Sequence, residues 1–304
     1  MSRGRPKTSK GVDVKIDRPV VVGIDGSDVA NTALRWAARY AAEHEVQLII
    51  VNALGDPVVF GSRIGSVTTD IEPIRAASRK LLAQAKIEVA TIANAGGIEV
   101  ATQLTASSPA STLIDMSKDA SMVVVGSRGL GAFRRGLLGS VSTALAHHAQ
   151  CPVAVLHEAS PDSRGSDGPI VVGVDGTPNS VPAIEIAFDE ADRRDAELIA
   201  VHGWVDTSDF DFPVEDWSGA MRAEEEKLDD DLAVWRKQYP NVRLTSMVVR
   251  DRPIRNLFEQ SENAQLLVLG SHGRGGFAGM MLGSTSQALL HSVECPVIIA
   301  RGPS

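Results

Sequence analysis

The sequence predicts an α/β protein built as two tandem doubly wound domains, and three observations predict it. First, VVVGSRGLGAFRRGLLGS (123–140) returns as LVLGSHGRGGFAGMMLGS (267–284), within a 34-residue match from Val123–Leu156 to Leu267–Ala300 that has no gap and 16 identities. VVVGIDGS (20–27) is answered in the same way by IVVGVDGT (170–177). Repeats of this length are whole domains, because solenoid repeats run to only about 20–50 residues. Second, each half alternates short β-branched apolar runs with stretches of helical period. Third, those runs are apolar on both faces, as in parallel sheets covered by helices on each side.

The elements follow in order. In the first half, strands are expected at 19–25, 46–53, 98–104, 121–127 and 151–157. Ser27 is a suitable cap for a helix whose apolar stripe is Ala33, Leu34, Ala37, Ala38 and Ala41. Helical period also runs from Ile74 to Ile92, over 109–118 and over 140–149. The second half repeats the order, with strands at 169–175, 196–203, 242–249, 265–271 and 295–301. Right-handed crossovers then wind each half into one parallel sheet. The polar, turn-rich stretch 158–169 reads as a linker, so the chain divides into a basic tail (1–18), a first domain (19–157), the linker and a second domain (170–302). The loops 54–73 and 204–217 fit the pattern least; they belong above the carboxyl ends of the strands, as lids or as solvated loops.

The net charge of −8 over 304 residues excludes a general affinity for phosphate backbones or anionic membranes, so any anion must be held locally. No apolar run reaches the ~18 residues of a membrane span, and the N-terminus lacks the apolar core of a signal peptide, so a cytoplasmic location is expected. Cys151 and Cys295 are equivalent residues of the two repeats, each before Pro-Val, and read as buried structural thiols.

The glycine loops carry the chemistry. Gly126, Gly129, Gly139 and Ser140 match Gly270, Gly273, Gly283 and Ser284, and in each half the Gly-Ser pair opens a helix. The first N–H groups of a helix lack intrahelical partners and carry the positive end of its dipole, so an anion there gains hydrogen bonds and field together. The hydroxyls of Ser140, Ser142, Ser284 and Ser286 could add donors. Asp25 and Asp175 end the first strand of each half, where a carboxylate can accept from ribose hydroxyls or can close an Asx turn or cap a helix. There is no P-loop lysine and no dinucleotide fingerprint after the first strand, and only Arg128 and His272 stand within the loops where they could assist turnover.

These residues resemble the universal stress protein family, in its tandem ATP-binding branch. Its motif G-x2-G-x9-G-[ST] is met in full in both halves, over a resemblance running from about Pro19 to Arg301. The resemblance implies five-stranded sheets of order 3-2-1-4-5 with helices on both faces, the last strand of one domain pairing with that of the other. It implies ATP, with magnesium, as the cofactor. Asp25 and Asp175 would face the ribose, and backbone near Ala53 and Gly203 the adenine. The loop glycines, with Ser140, Val141 and Ser142 or Ser284, Thr285 and Ser286, would hold the phosphates beside Arg128 or His272. The family often carries Gly where Ser107 and Asp251 stand here.

The leading functional reading is a nucleotide-dependent regulator or sensor of the stress response, open to a homo-oligomer and to an unidentified regulatory protein partner. A slow magnesium-dependent ATPase using Arg128 and His272 is the alternative. A third reading takes RGRPK (3–7), which resembles the core of an AT-hook, as a minor-groove DNA contact.

Overall fold

The structure, a computed structural model, describes residues 18–55, 71–92, 97–130, 138–158, 168–203, 217–250, 252–273 and 282–301. The first half runs β1 (Val20–Gly23), α1 (Asp28–Glu43), β2 (Leu48–Ala53), α2 (Glu72–Thr91), β3 (Val100–Thr105), α3 (Pro109–Met116), β4 (Met122–Gly126), α4 (Ser140–His148) and β5 (Val153–Leu156). The second runs β6 (Ile170–Val174), α5 (Val181–Arg194), β7 (Glu197–Gly203), α6 (Trp217–Gln238), β8 (Arg243–Val249), α7 (Pro253–Ser261), β9 (Leu266–Gly270), α8 (Ser284–Ser292) and β10 (Val297–Ala300). The basic tail up to residue 17, most of the linker and most of both expected lids lie outside the described residues.

Helix starts follow local chemistry. Ser27 Oγ accepts from Ala30 N at 3.2 Å and caps α1 as its position predicts. In the second half Thr177 caps a single 3-10 turn, Pro178–Ser180, before α5 begins. Pro182 falls in the first turn of α5, where no intrahelical donor is needed.

The strands form one ten-stranded sheet of order β3-β2-β1-β4-β5-β10-β9-β6-β7-β8. Each half therefore has the expected internal order, and all pairs within a half are parallel. The halves join through β5 and β10, which pair antiparallel with Val155 opposite Val297 and Val153 opposite Ile299. An antiparallel joint turns the carboxyl ends of β6–β10 to the opposite end of the sheet from those of β1–β5. The two sets of loops that could bind a ligand thus open in opposite directions.

Successive side chains leave a strand on opposite faces, and the core divides accordingly. Val20, Val22 and Ile24 pack with Leu34 of α1, Leu82 of α2, Phe188 of α5 and Leu228 of α6. Val21, Val123 and Val125 face the other way and pack with Leu113 of α3, Leu145 of α4, Leu257 of α7 and Leu289 of α8. Both layers run through both halves without interruption. Cys151 and Cys295 are buried within the second layer. Burial pushes the Cys151 thiol up to about 12, as expected of a structural rather than a reactive cysteine.

On the first face, α1 meets α5 at the seam through a buried ionic cluster. Glu190, 1% exposed, lies 2.8 Å from His44 Nε2 and accepts from Arg194 Nε at 2.8 Å. Asp189 accepts from Arg193, whose Nη1 donates across the seam to the carbonyl of Glu43. Burial would raise the Glu190 carboxyl, but Arg194 and His44 outweigh it and hold the group down at about 2.

Candidate functional site

In each half the chain leaves adjacent central strands in opposite directions, from β1 to α1 on one face and from β4 to α4 on the other. The crevice between them is the switch point at which doubly wound folds bind ligands. The first cleft is built there by Asp25 after β1 and by the glycine loop after β4. The carboxylate of Asp25 serves both sides. Its Oδ1 accepts from Ser27 N at 3.0 Å and Ser27 Oγ at 2.7 Å, closing an Asx turn, while Oδ2 accepts from Leu130 N at 2.8 Å in the glycine loop. In the second cleft Asp175 Oδ1 accepts from Thr177 N at 2.9 Å, from Thr177 Oγ1 at 2.8 Å and from Ser180 Oγ. The turn suggested by the sequence is therefore formed in both halves, and in the first half the same side chain also reaches the candidate phosphate loop.

The glycines of the motif do different jobs. A Cβ on Gly126 would meet Val29 Cγ1 at 2.9 Å and the Arg128 carbonyl at 3.1 Å, so this glycine lets the end of β4 lie against the start of α1. A Cβ on Gly129 would stand 2.3 Å from Asp25 Oδ2, so this one lets the loop approach the carboxylate. Gly139 and Gly283 differ. They are the N-caps of α4 and α8, with φ of −70° and −69°, values open to any residue. Among the described residues, added Cβ atoms there would meet nothing closer than 3.4 Å and 3.6 Å. The described surroundings do not demand glycine at either position. What glycine provides is open space in front of a helix end with no side-chain cap, where the N–H groups of Ser140, Val141 and Ser142, or of Ser284, Thr285 and Ser286, lead the helix.

The hydroxyls of Ser142 and Ser286 are engaged within the protein: Ser142 Oγ lies 3.0 Å from the carbonyls of both Ser127 and Gly139, and Ser286 Oγ donates to the Gly270 carbonyl at 2.7 Å. Both are buried and hold the loop to the helix, which leaves their backbone N–H groups as the donors they can offer. Arg128 and His272 follow β4 and β9 at matching positions, and His272 Nδ1 lies 3.0 Å from Ser271 Oγ. The rest of each glycine loop, including Arg134, Arg135 and Arg274, is outside the described residues.

Ala53 and Gly203 end β2 and β7 on the same rims, and a Cβ on Gly203 would collide with Pro253 at 2.6 Å. The residues just before them, Asn52 and His202, are a pair that the sequence reading did not single out. Asn52 Nδ2 donates to the Ile24 carbonyl at 2.7 Å, and His202 Nδ1 lies 3.1 Å from the Val174 carbonyl, so each ties its second strand to the residue before the key aspartate. Their signal was a polar residue inside an apolar strand. The two rims then diverge. His202 Nε2 lies 3.1 Å from Glu224 of α6, and a Cβ on Gly176 would sit 3.3 Å from Lys227 Nζ, whereas the equivalent Gly26 faces Leu81 of α2.

His44, Asp189 and Glu190 place one ligand atom each within 4.8 Å of one another, but the carboxylates already hold Arg193 and Arg194, and the group lies at the seam rather than in either cleft. No helix among the described residues is long and apolar enough to cross a membrane.

Comparison with known proteins agrees with this duplicated architecture. The model of the universal stress protein family matches twice, over residues 18–157 and 168–301. Universal stress protein Rv2005c of Mycobacterium tuberculosis is 42% identical over 292 residues, covering 93% of this chain and 96% of its own. Universal stress protein Rv2623 of the same organism is 40% identical over 284 residues, with the same coverages. The crystal structure of a universal stress protein from Archaeoglobus fulgidus superposes with a TM-score of 0.70 at 20% identity, covering 96% of this chain and 99% of that one, and so shares the fold.

Proposed function

This chain belongs to the universal stress protein family, and from that premise we propose that it is an ATP-binding regulator with two nucleotide sites, one in each half. The observation that supports the reading is the pair of helix N-termini at Gly139 and Gly283 that have no side-chain cap, and whose glycines no contact among the described residues requires. Each helix end offers converging N–H groups and the positive end of a dipole to phosphate oxygens. Asp25 or Asp175, across the crevice, offers a carboxylate to ribose hydroxyls, and the ends of β2 and β7 offer backbone to the base. Magnesium binds mainly through substrate phosphates and retains several waters, so it would arrive with the triphosphate. Occupancy of the clefts, rather than turnover, is the output proposed for partners in the stress response.

The two sites are inequivalent. The first has Arg128 in its glycine loop where the second has His272, while the second has Lys227 at the opposite rim where the first has Leu81. The positive charge at the second rim offsets part of the disadvantage that its loop composition implies.

Thermal unfolding tests the reading. A ligand binding only the native state adds about 2.7 kcal/mol at a hundredfold excess over its Kd, so millimolar ATP should raise Tm, with GTP raising it less. Titration calorimetry should count two ATP per chain with different affinities. Gly139→Asp should silence the first site and Gly283→Asp the second, each leaving one. No thermal shift with ATP and magnesium would exclude nucleotide binding, and one equivalent in the wild type would reduce one glycine loop to a turn.

A further inference from the structure

The residue that follows the last strand of each half reaches across the seam to the glycine-capped helix of the other half. Arg301, after β10, donates through Nη2 to the Ala146 carbonyl in the last turn of α4. His157, after β5, brings its ring nitrogens to 3.0 Å from the Leu290 carbonyl in the last turn of α8 and 3.2 Å from the Cys295 carbonyl. Last-turn carbonyls have no partner within the helix, and cationic or N–H donors there also meet the negative end of its dipole. The antiparallel joint makes this possible, since each of these helices starts at its own cleft and ends beside the cleft of the other half.

The residues just before these clasps hold the glycine loops. Ser127 N donates to the Leu156 carbonyl at 2.6 Å, and the Ser127 carbonyl accepts from Gly139 N at 2.7 Å and Ser142 Oγ at 3.0 Å. In the second half Ser271 N donates to the Ala300 carbonyl at 3.0 Å and its own carbonyl accepts from Gly283 N at 2.8 Å. Two continuous paths result. One runs from α4 through Ala146, Arg301, Ala300 and Ser271 to Gly283, and the other from α8 through Leu290, His157, Leu156 and Ser127 to Gly139.

We propose that the two glycine loops form one coupled unit, in which His157 and Arg301 transmit the position of each helix to the N-cap of the other. An anion drawn onto the N-terminus of α4 would shift the carbonyl that Arg301 holds, and with it the strand end on which Ser271 and Gly283 hang. Coupling of this kind is reciprocal, so the second site acts on the first by the same factor. The Arg128 charge, in the first loop, adds to the burial that depresses ionisation of His157, which places the first loop and the α8 clasp within electrostatic reach. That the anion is a nucleotide rests on the function proposed above; the mechanical link rests on the chain's own hydrogen bonds.

Residue-resolved hydrogen exchange on the full chain without nucleotide tests the link, with rates read relative to the central-strand amides of Val21 and Val171. Arg301→Met keeps the aliphatic stem and removes the donors; amides of Ser271 and Gly283 should exchange about tenfold faster, on the scale of one lost charged hydrogen bond. Arg301→Lys, which keeps a cation, should fall between. His157→Gln should produce the mirror effect at Ser127 and Gly139. Acceleration confined to the last turn of α4 in both Arg301 variants would overturn the proposal. ATP titration of the wild type separates the two claims: exchange that spreads across the seam in a chain that binds no ATP keeps the coupling and removes the nucleotide, and ATP binding with exchange confined to α4 does the reverse.

Discussion

The three glycines of each motif look alike in the sequence but separate once their surroundings are known. Gly126→Ala forces a methyl to within 2.9 Å of Val29 and should cost about 1–3 kcal/mol of stability, read as a lower urea midpoint. Gly139→Ala meets no such obstacle among the described residues and should change stability by no more than about 1 kcal/mol, the usual range for an N-cap, while weakening ATP binding in calorimetry. Equal stability losses in the two variants would remove the argument that the second glycine serves a ligand. His157 gives a pH signature. Burial holds its ring below the ordinary value of 6.5, so the folded state resists a proton that the unfolded chain accepts. The associated stability is complete above pH 6.5 and is lost as pH falls from there through the lowered folded value. His157→Gln should flatten that part of the stability profile relative to wild type. The motif glycines and both aspartates could be found from spacing alone. The inward turn of Ser142 and Ser286 could not, because a hydroxyl at the third position of a helix can serve a ligand or its own loop, and only the position of the Ser127 and Gly270 carbonyls decides between them.

Among elements, the strands were the most legible. Each apolar β-branched run became a strand shorter by a residue or more than the run itself; in β1, β4 and β6, Asp25, Ser127 and Asp175 at the run ends leave the ladder to form turns and loops. The helix that answers α1 was less legible: Pro178 and Pro182 divide its start into a 3-10 turn and α5, although the chain ahead of it repeats the first half closely. The contact of α1 with α5 had no sequence signature at all. His44 and Glu190 are ordinary surface residues in each helical pattern, and only the β5–β10 joint brings them together. Breaking that buried pair leaves a charge without its partner, so Glu190→Ala should cost about 3–5 kcal/mol, far more than surface pairs such as Arg255–Glu259. In wild type the depressed carboxyl contributes stability that is whole above the ordinary carboxylate range and is lost as pH falls toward about 2. Glu190→Gln should lack this acid-dependent loss in equilibrium unfolding.

At the scale of the molecule, two repeats that read as separate domains share one sheet and two core layers that cross the boundary between them. The chain should therefore unfold in a single calorimetric transition, with van 't Hoff and calorimetric enthalpies equal; two resolved transitions would show that the seam is weaker than its burial implies. The sequence showed the duplication, and the family resemblance supplied the pairing of last strands, but the opposite facing of the clefts follows from the antiparallel joint alone. That joint has an evolutionary consequence. Two separate copies of a single-domain ancestor meeting in this way would be bound by exact twofold symmetry, with the same residue in both clasps and the same charge in both clefts. Fusion into one polypeptide releases that constraint, because each partner is then encoded separately. Position 157 can be histidine while its counterpart 301 is arginine, and one rim can have Leu81 while the other has Lys227. A tandem chain can thus tune two clefts against each other, a freedom denied to an assembly of identical subunits.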